Sequence, residues 1–252
     1  MVSFVQTNLI VAVFECLDSV ENLMSNIQQR AFSALNLNQY SQVNKPDKIR
    51  KVQLDIPQES QMILRMLIKT PYDIYQIPKE VEWMDDLLFW THKSQKNIGV
   101  NQPFVYLTIR HGIVDFEKDD EWHVDGFSTN VTHLPEQNYV WVNKIPTEYV
   151  EQSFNFPKDF DPRIHNIHWF LEEKVRSENI RTCDPETIYC FDPYVVHRRP
   201  KVTQGMFRTF IRITYCPMEI NDVNNTLNPL IETNYKRDGV KDFRDSLKRY
   251  DE

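Results

Sequence analysis

TIYCFDPYVVHRRPKVTQGMFRTFIRITY, residues 187–215, contains two runs of β-branched and aromatic residues separated by a polar segment. Runs of this composition are typical of β-strands. Residues 103–116 and 138–143 have the same composition and predict further strands. The second half of the chain therefore predicts an antiparallel β-domain.

The first hundred residues predict a mainly helical flank. Asp18 and Glu21 have the spacing of a capping box, and apolar residues recur at a helical period after them. Residues 60–69 (SQMILRMLIK) show a second helical pattern, and residues 78–96 a third, which opens on a proline. Helices followed by strands predict an α+β fold.

Composition narrows the class of protein. The 252 residues are 41% hydrophobic and 26% charged, which is typical of a globular chain. A net charge of −7 disfavours the basic surface that a non-specific nucleic-acid binder needs, so we expect no nucleic-acid partner. No apolar run approaches the ~18–20 residues of a membrane span, and no secretory signal is recognisable. Four cysteines without CxxC spacing predict reduced thiols in a cytoplasmic protein.

We expect a single domain over residues 1–252. It divides into the helical flank, 1–100, a β core, 103–217, and a polar C-terminal extension, 218–252. Prolines interrupt residues 144–180, which predict an insertion in the core. Long connections in compact domains are often functional, so this insertion is a candidate lid.

Two histidines and an aspartate form the candidate metal site. His123 and Asp125 are two residues apart in WHVDG, so in an extended segment both side chains leave the same face. His197 ends the run TIYCFDPYVVH. Two histidines and one carboxylate make the facial triad that leaves open positions on a ferrous ion. Those positions are what a bidentate co-substrate and dioxygen require.

Arg208 follows His197 by eleven residues. A turn containing Gln204 and Gly205 would let the Arg208 strand pair antiparallel with the His197 strand. The permanently charged, planar guanidinium suits a carboxylate. We therefore expect Arg208 beside the metal site.

In this order, the HxD pair, the distal histidine and the arginine resemble the Fe(II)- and 2-oxoglutarate-dependent oxygenases. The likeness covers about residues 103–217 and includes HVDG and FDPYVVHRRP…GMFRTFIRITY. It implies a double-stranded β-helix core (jelly-roll, cupin-like) with flanking N-terminal helices. It also implies that His123, Asp125 and His197 hold Fe(II), and that Arg208 binds the distal carboxylate of 2-oxoglutarate. Members of this family use O2 to convert 2-oxoglutarate to succinate while oxidising a substrate, so the likeness implies a hydroxylase.

Arg212 lies four residues beyond Arg208 and therefore on the same strand face. In the taurine-dioxygenase-like and amino-acid-hydroxylating branches of the family, an arginine at this offset binds the anionic group of the substrate. The likeness thus implies a small anionic substrate, such as an amino acid or a biosynthetic intermediate. The gap between HxD and the distal histidine is shorter here than in those branches, so this role of Arg212 is a hypothesis.

Four other residues near the motif are candidates for ligand contacts. Thr108 is a candidate for the co-substrate pocket and Arg110 for the substrate pocket, because both are on the strand before HxD. Trp122 and Phe127 flank the metal motif and are candidates for substrate binding. Aromatic side chains pack equally well in a core or a lid.

Three alternatives stay open. The chain could hydroxylate a protein side chain, or it could be a cupin-like protein that holds a metal without oxidising anything. It could also be a metal-dependent isomerase or an oxygenase that uses the triad without 2-oxoglutarate. Arg208 discriminates among these, because a mere metal binder does not need an arginine directed at the metal's open face. Nucleic-acid demethylation ranks below them, since the composition provides no evident phosphate-binding surface.

Overall fold

The fold is mixed α+β, with mostly antiparallel strands and few helices. The computed structural model describes residues 36–95, 102–114, 121–125, 136–162, 164–202, 204–220 and 222–233. The helix predicted after Asp18 lies outside these ranges.

Six strands form the larger sheet. They are β1 (Asp47–Lys51), β2 (Gln61–Lys69), β3 (Phe104–Val114), β4 (Gln137–Val142), β7 (Thr187–Phe191) and β9 (Met206–Cys216). Their order across the sheet is β1–β7–β4–β9–β3–β2, and each neighbouring pair is antiparallel. The strands predicted at 103–116, 138–143 and 206–215 are confirmed. The single strand predicted over 187–197 is wrong in extent, because β7 ends at Phe191 and His197 belongs to a separate strand of the second sheet.

Three short strands form a second sheet. They are β5 (Glu148–Val150), β6 (Ile180–Thr182) and β8 (His197–Arg198), in the order β6–β5–β8. An isolated antiparallel bridge joins His123 to His197 at the edge of this sheet. Within the described ranges the two sheets do not close into a barrel.

In the described ranges, helices are short and few. 3-10 helices cover Leu37–Ser41, Lys79–Met84 and Ser177–Asn179, and α-helices cover Asp85–Ser94 (α1) and Ile167–Lys174 (α2). The helix predicted at 78–96 is confirmed as a 3-10 turn that continues into α1. No helix in the described part of the chain combines the length and apolar character that a membrane crossing needs.

The helix predicted at residues 60–69 is wrong, because this segment is strand β2. The register of β2 against β3 shifts between Ile63 and Met66, so that two residues of β2 lie opposite one residue of β3. This β-bulge puts Ile63 and Met66 on the same face of the sheet, packed in the core. Apolar residues three apart are the spacing of a helix, so the bulge imitates a helical pattern.

The predicted pairing of the Arg208 strand with the His197 strand is also wrong. β9 lies between β3 and β4 in the larger sheet, whereas His197 pairs with β5 in the smaller one. Residues 199–205 separate the two strands, and this connection is longer than the tight loops typical of hairpins. The chain therefore crosses from one sheet to the other.

The two faces of β9 have different roles. Ile211, Ile213 and Tyr215 face the main hydrophobic core, which packs between the larger sheet and α1. Since side chains alternate along a strand, Arg208 and Arg212 share the opposite face. That face carries the polar groups of the candidate site.

Candidate metal centre

His123, Asp125 and His197 converge as the sequence predicted. The backbone N–H groups of His123 and His197 each donate to the other residue's carbonyl, at 3.0 and 2.9 Å, and the ring centroids are 4.6 Å apart. Asp125 lies two residues beyond His123. Ligand atoms from the three residues all lie within 4.8 Å of one another. Among the described residues, this group could hold a metal ion.

Backbone carbonyls fix the orientation of both imidazoles. His123 Nδ1 lies 2.8 Å from the carbonyl oxygen of Glu121, and His197 Nδ1 lies 2.9 Å from that of Val195. A carbonyl oxygen can only accept, so both Nδ1 atoms donate. In the neutral rings the lone pair is therefore on Nε2. Metal-binding histidines are commonly oriented in this way.

The protonation of the site also suits a cation. Burial, together with nearby His197, lowers the pKa of His123 to about 4, which keeps this ring neutral at pH 7. Burial alone would raise the pKa of Asp125, but the Arg212 guanidinium and the hydrogen bond with His197 hold it well below its usual range. A neutral imidazole on His123 and an ionised carboxylate on Asp125 are therefore available to a metal, and His197 Nε2 lies beside them.

Two of the ligand atoms lie close together. His197 Nε2 is 3.5 Å from Asp125 Oδ2. Imidazole nitrogens and carboxylate oxygens are both ligands that divalent transition metals accept, so a metal ion held by both atoms could replace their direct contact. The donor set therefore fits a divalent transition metal.

Arg212 bonds directly to the carboxylate of the candidate metal ligand Asp125. Its Nη1 donates to Asp125 Oδ2 at 2.7 Å, and the two side chains are 16% and 21% exposed. The arginine predicted to bind the substrate thus orients Asp125 in this structure. Arg212 Nε is buried and has no hydrogen-bond partner among the described residues.

Arg208 is buried and bonds to a neutral group. It is 5% exposed, and its Nε donates to the carbonyl of Ile145 at 3.0 Å. Ile145 has a φ of 54°, an uncommon conformation for a β-branched residue, so this bond holds a strained turn. No described carboxylate pairs with Arg208. Burial and the nearby charges of Arg199 and Arg110 lower its pKa to about 10.

Thr108 and Arg110 lie on β3 opposite different parts of β9. Thr108 pairs with Arg212 and is buried, and its Oγ1 accepts the N–H of Arg65 at 3.2 Å. Arg110 pairs with Phe210 and is exposed. Since Arg110 lowers the pKa of Arg208, it lies toward the Arg208 end of the site rather than beside Asp125.

Trp122 packs in a hydrophobic cluster with Val124 and residues of α2. It alternates with His123 and Asp125, so its ring faces away from the ligand side chains. The guanidinium of Arg198 lies 4.3 Å from the centre of the Trp122 ring. The contacts of Trp122 in the structure are therefore packing contacts. Phe127, the other predicted aromatic contact, lies outside the described residues.

Two functional candidates were missed from the sequence. Glu172 on α2 accepts the N–H of Trp122 at 2.7 Å and so anchors the segment that carries both HxD ligands. Arg65 lies in the bulge of β2, opposite Thr108. An arginine inside the apolar run MILRMLI is a signal for Arg65, because a buried strand rarely carries an uncompensated charge. No pattern in the sequence around Glu172 indicates its contact with Trp122.

Comparisons with known proteins leave the family open. Neither a scan of protein-family models nor a search of curated proteins found a match. Among solved structures, EvdO2 from Micromonospora carbonacea var. aurantiaca is 14% identical, covering 68% of this chain and 82% of that one, with a TM-score of 0.33. AviO1 from Streptomyces viridochromogenes Tue57 is 13% identical, covering 82% and 87%, also with a TM-score of 0.33. The local geometry of the site therefore carries the functional argument.

Proposed function

We propose that this chain is a non-haem Fe(II)- and 2-oxoglutarate-dependent oxygenase that hydroxylates a small anionic molecule. The observation that carries the proposal is the buried Arg208 guanidinium, which no described carboxylate neutralises. It lies on the same face of β9 as Arg212, which bonds to the candidate metal ligand Asp125. A metal site and a buried arginine lie on one face of the sheet. A ligand that chelates the metal with one end and carries a carboxylate at the other end would suit both.

His123, Asp125 and His197 would hold the iron. Two imidazole nitrogens and one carboxylate are the facial set typical of ferrous oxygenases, and they leave positions open to other ligands. When bound, Fe(II) would offer these open coordination positions and, together with O2, would supply the oxidising chemistry. The protein's part is to present both Nε2 lone pairs, which the carbonyls of Glu121 and Val195 fix, and to keep Asp125 ionised.

Arg208 would bind the distal carboxylate of 2-oxoglutarate. Arg208 and Arg212 are four residues apart, about 14 Å along a strand, so a chain of several atoms has room to extend from the metal toward Arg208. A buried charge without a partner costs several kcal/mol, and a bound carboxylate offsets that cost. The like charges of Arg110 and Arg199 add to the attraction for a dianion.

The proposal includes a double-stranded β-helix as the fold. Its support is that the two antiparallel sheets contribute to one site, His197 from the smaller and both arginines from the larger. Side chains from both sheets also share a hydrophobic cluster, which includes Val140, Phe191 and the partly buried Tyr149. A reducing, cytoplasmic location belongs to the same proposal, because Cys183 and Cys216 are buried thiols and iron must stay ferrous.

A cupin-like protein that binds metal without oxidation is the second candidate. The triad favours it as much as it favours an oxygenase, whereas Arg208 favours only the oxygenase. Hydroxylation of a protein side chain uses the same centre and differs only in the substrate.

The test is an anaerobic titration of the metal-free protein with Fe(II) and then 2-oxoglutarate. We expect a weak visible charge-transfer band, because chelation places a keto oxygen and a carboxylate on a ferrous ion. His197→Ala should abolish the band. His92→Ala is the matched control, since His92 lies on α1 and bonds to Tyr75 rather than to the site.

Metal binding without the band would contradict the oxygenase proposal and favour the metal-binding alternative. If the band appears, release of succinate in air, measured with a panel of free amino acids and with peptides, separates the two substrate classes.

A further inference from the structure

A second polar region occupies the same face of the larger sheet, on the side of Arg212 away from Arg208. Thr214 is two residues beyond Arg212 and pairs with Asn138 of β4, while Thr108 pairs with Arg212 from β3. All three of these partners are buried, with Asn138 0%, Thr214 2% and Thr108 3% exposed. We call this region, together with Arg65 and Glu136, the head-group compartment.

Asn138 has a buried donor without a partner among the described residues. Thr214 Oγ1 donates to Asn138 Oδ1 at 2.6 Å, which fixes the amide. Asn138 Nδ2 is then buried with no hydrogen-bond partner among the described residues, as is Arg212 Nε. Buried polar groups in native proteins are nearly always satisfied, so two unpartnered donors on one sheet face indicate an absent acceptor.

The bulge of β2 places a third donor, the side chain of Arg65, on the same face of the sheet. Ile63 and Met66 face the core, which leaves the intervening Leu64 and Arg65 on the face of Thr108. Arg65 has a φ of 43°, a strained conformation for a residue other than glycine. The bond from Arg65 N–H to Thr108 Oγ1 holds this conformation. A strained bulge at the rim of a site is a common way to aim a side chain.

One carboxylate lies in the same compartment. Glu136 directly precedes β4 and alternates with Asn138, so the two side chains share a face. Glu136 is 3% exposed. Burial lowers the pKa of Arg65, but Glu136 and Asp125 raise it overall, which agrees with both carboxylates facing the guanidinium. Among the described residues, neither carboxylate lies within ion-pair distance of Arg65.

We propose that the head-group compartment binds the α-amino acid group of the substrate, with the carboxylate on Arg65 and Asn138 Nδ2 and the ammonium on Glu136. This inference rests on the proposed function and specifies the substrate class of that site. Donors and a carboxylate in one buried compartment match a zwitterion better than a simple anion, which would face repulsion from Glu136. Arg212 separates the compartment from Arg208, so substrate and co-substrate occupy opposite sides of the metal ligand Asp125.

The test is calorimetric titration of the full chain, metal-free and again loaded with Zn(II), with each of the twenty proteinogenic L-amino acids. We expect at least one to bind. Its N-acetyl and carboxamide derivatives should each bind at least tenfold more weakly, because one loses the ammonium and the other the carboxylate. Arg65→Met should weaken binding of the free amino acid at least tenfold, and Arg65→Lys less.

Two variants keep this test specific. Arg176→Met, at an exposed arginine beyond α2, should leave binding unchanged. In Glu136→Gln, the free amino acid should bind more weakly, and N-acetylation should no longer lower affinity further. The Glu136→Gln measurement therefore tests the proposal even if the Arg65→Met variant does not fold.

The proposal is overturned if no amino acid binds, or if blocking either charged group leaves affinity unchanged. It is also overturned if Glu136→Gln retains the full penalty for N-acetylation. Amino-acid binding by a protein that gives no charge-transfer band would refute the oxygenase and leave the compartment standing, so the two failures are distinguishable.

Discussion

Arg208 and Arg212 occupy the same face of β9, four residues apart, in opposite electrostatic surroundings. Arg212 donates to Asp125 at 2.7 Å, and its charge is compensated inside the protein. Arg208 bonds only to a neutral carbonyl among its described hydrogen-bond partners, and burial together with two other arginines lowers its pKa. The comparison shows that two arginines on one strand face can differ in how their charge is compensated, and this difference is the reason that we propose different roles for them.

The largest effect on stability is expected for Arg212→Met. Asp125 would stay buried and ionised without its guanidinium, and breaking a largely buried pair costs about 3 kcal/mol. Urea unfolding of the metal-free protein measures this loss. Saturating Zn(II) should shrink it, because the metal replaces the missing positive charge.

Arg208→Met is the matched control on the same strand. It removes a buried charge that has no described counter-ion, so the metal-free protein should unfold at the same urea concentration as wild type or a higher one. A loss of stability as large as that of Arg212→Met would show that Arg208 is also compensated within the chain.

Arg208→Met should instead act on co-substrate binding. We expect the apparent affinity for 2-oxoglutarate to fall about 100-fold, because a buried, charge-assisted pair is lost. Titration of the charge-transfer band measures this affinity, and direct titration with Fe(II) should show unchanged metal binding. An unchanged requirement for 2-oxoglutarate would remove Arg208 from the co-substrate site.

The sequence predicted those elements whose pattern is continuous. β3, β4 and β9 are runs of β-branched and aromatic residues, which indicate strands directly. In β2 the bulge at Ile63 and Met66 gives a strand the apolar spacing of a helix. β5, β6 and β8 have three residues or fewer, too short to show any period.

The candidate site divides in a similar way. His123 and Asp125 were predictable because a two-residue spacing fixes a shared face, and the family likeness supplied His197 and Arg208. The sheet that carries Arg208 was not predictable, since it depends on how the chain crosses after His197. Glu172 was also hidden, because its contact with Trp122 joins residues fifty positions apart.

Glu172→Gln should weaken metal binding by about tenfold. Glu172 holds the Trp122 amide by a charge-assisted bond, and removing such outer support typically costs ten- to a hundredfold in affinity. Competition with a chelator measures the change. The adjacent Glu173→Gln is the control, because Glu173 is exposed and has no described bond to the metal-bearing segment. Equal effects of the two substitutions would attribute the change to surface charge alone.

The smallest effect is expected for Thr108→Val, which keeps the side-chain shape and removes the acceptor of the Arg65 N–H. The amide would be left unsatisfied beside Arg212 at a cost of about 1 kcal/mol. Thr226→Val removes the equivalent acceptor from the neighbouring Leu64 amide, at the exposed edge, where water replaces it. Urea unfolding should therefore show a larger loss for Thr108→Val. Because the same bond fixes the bulge, amino-acid affinity should fall in Thr108→Val and stay unchanged in Thr226→Val. Equal affinities would mean that the bulge holds Arg65 in place without Thr108.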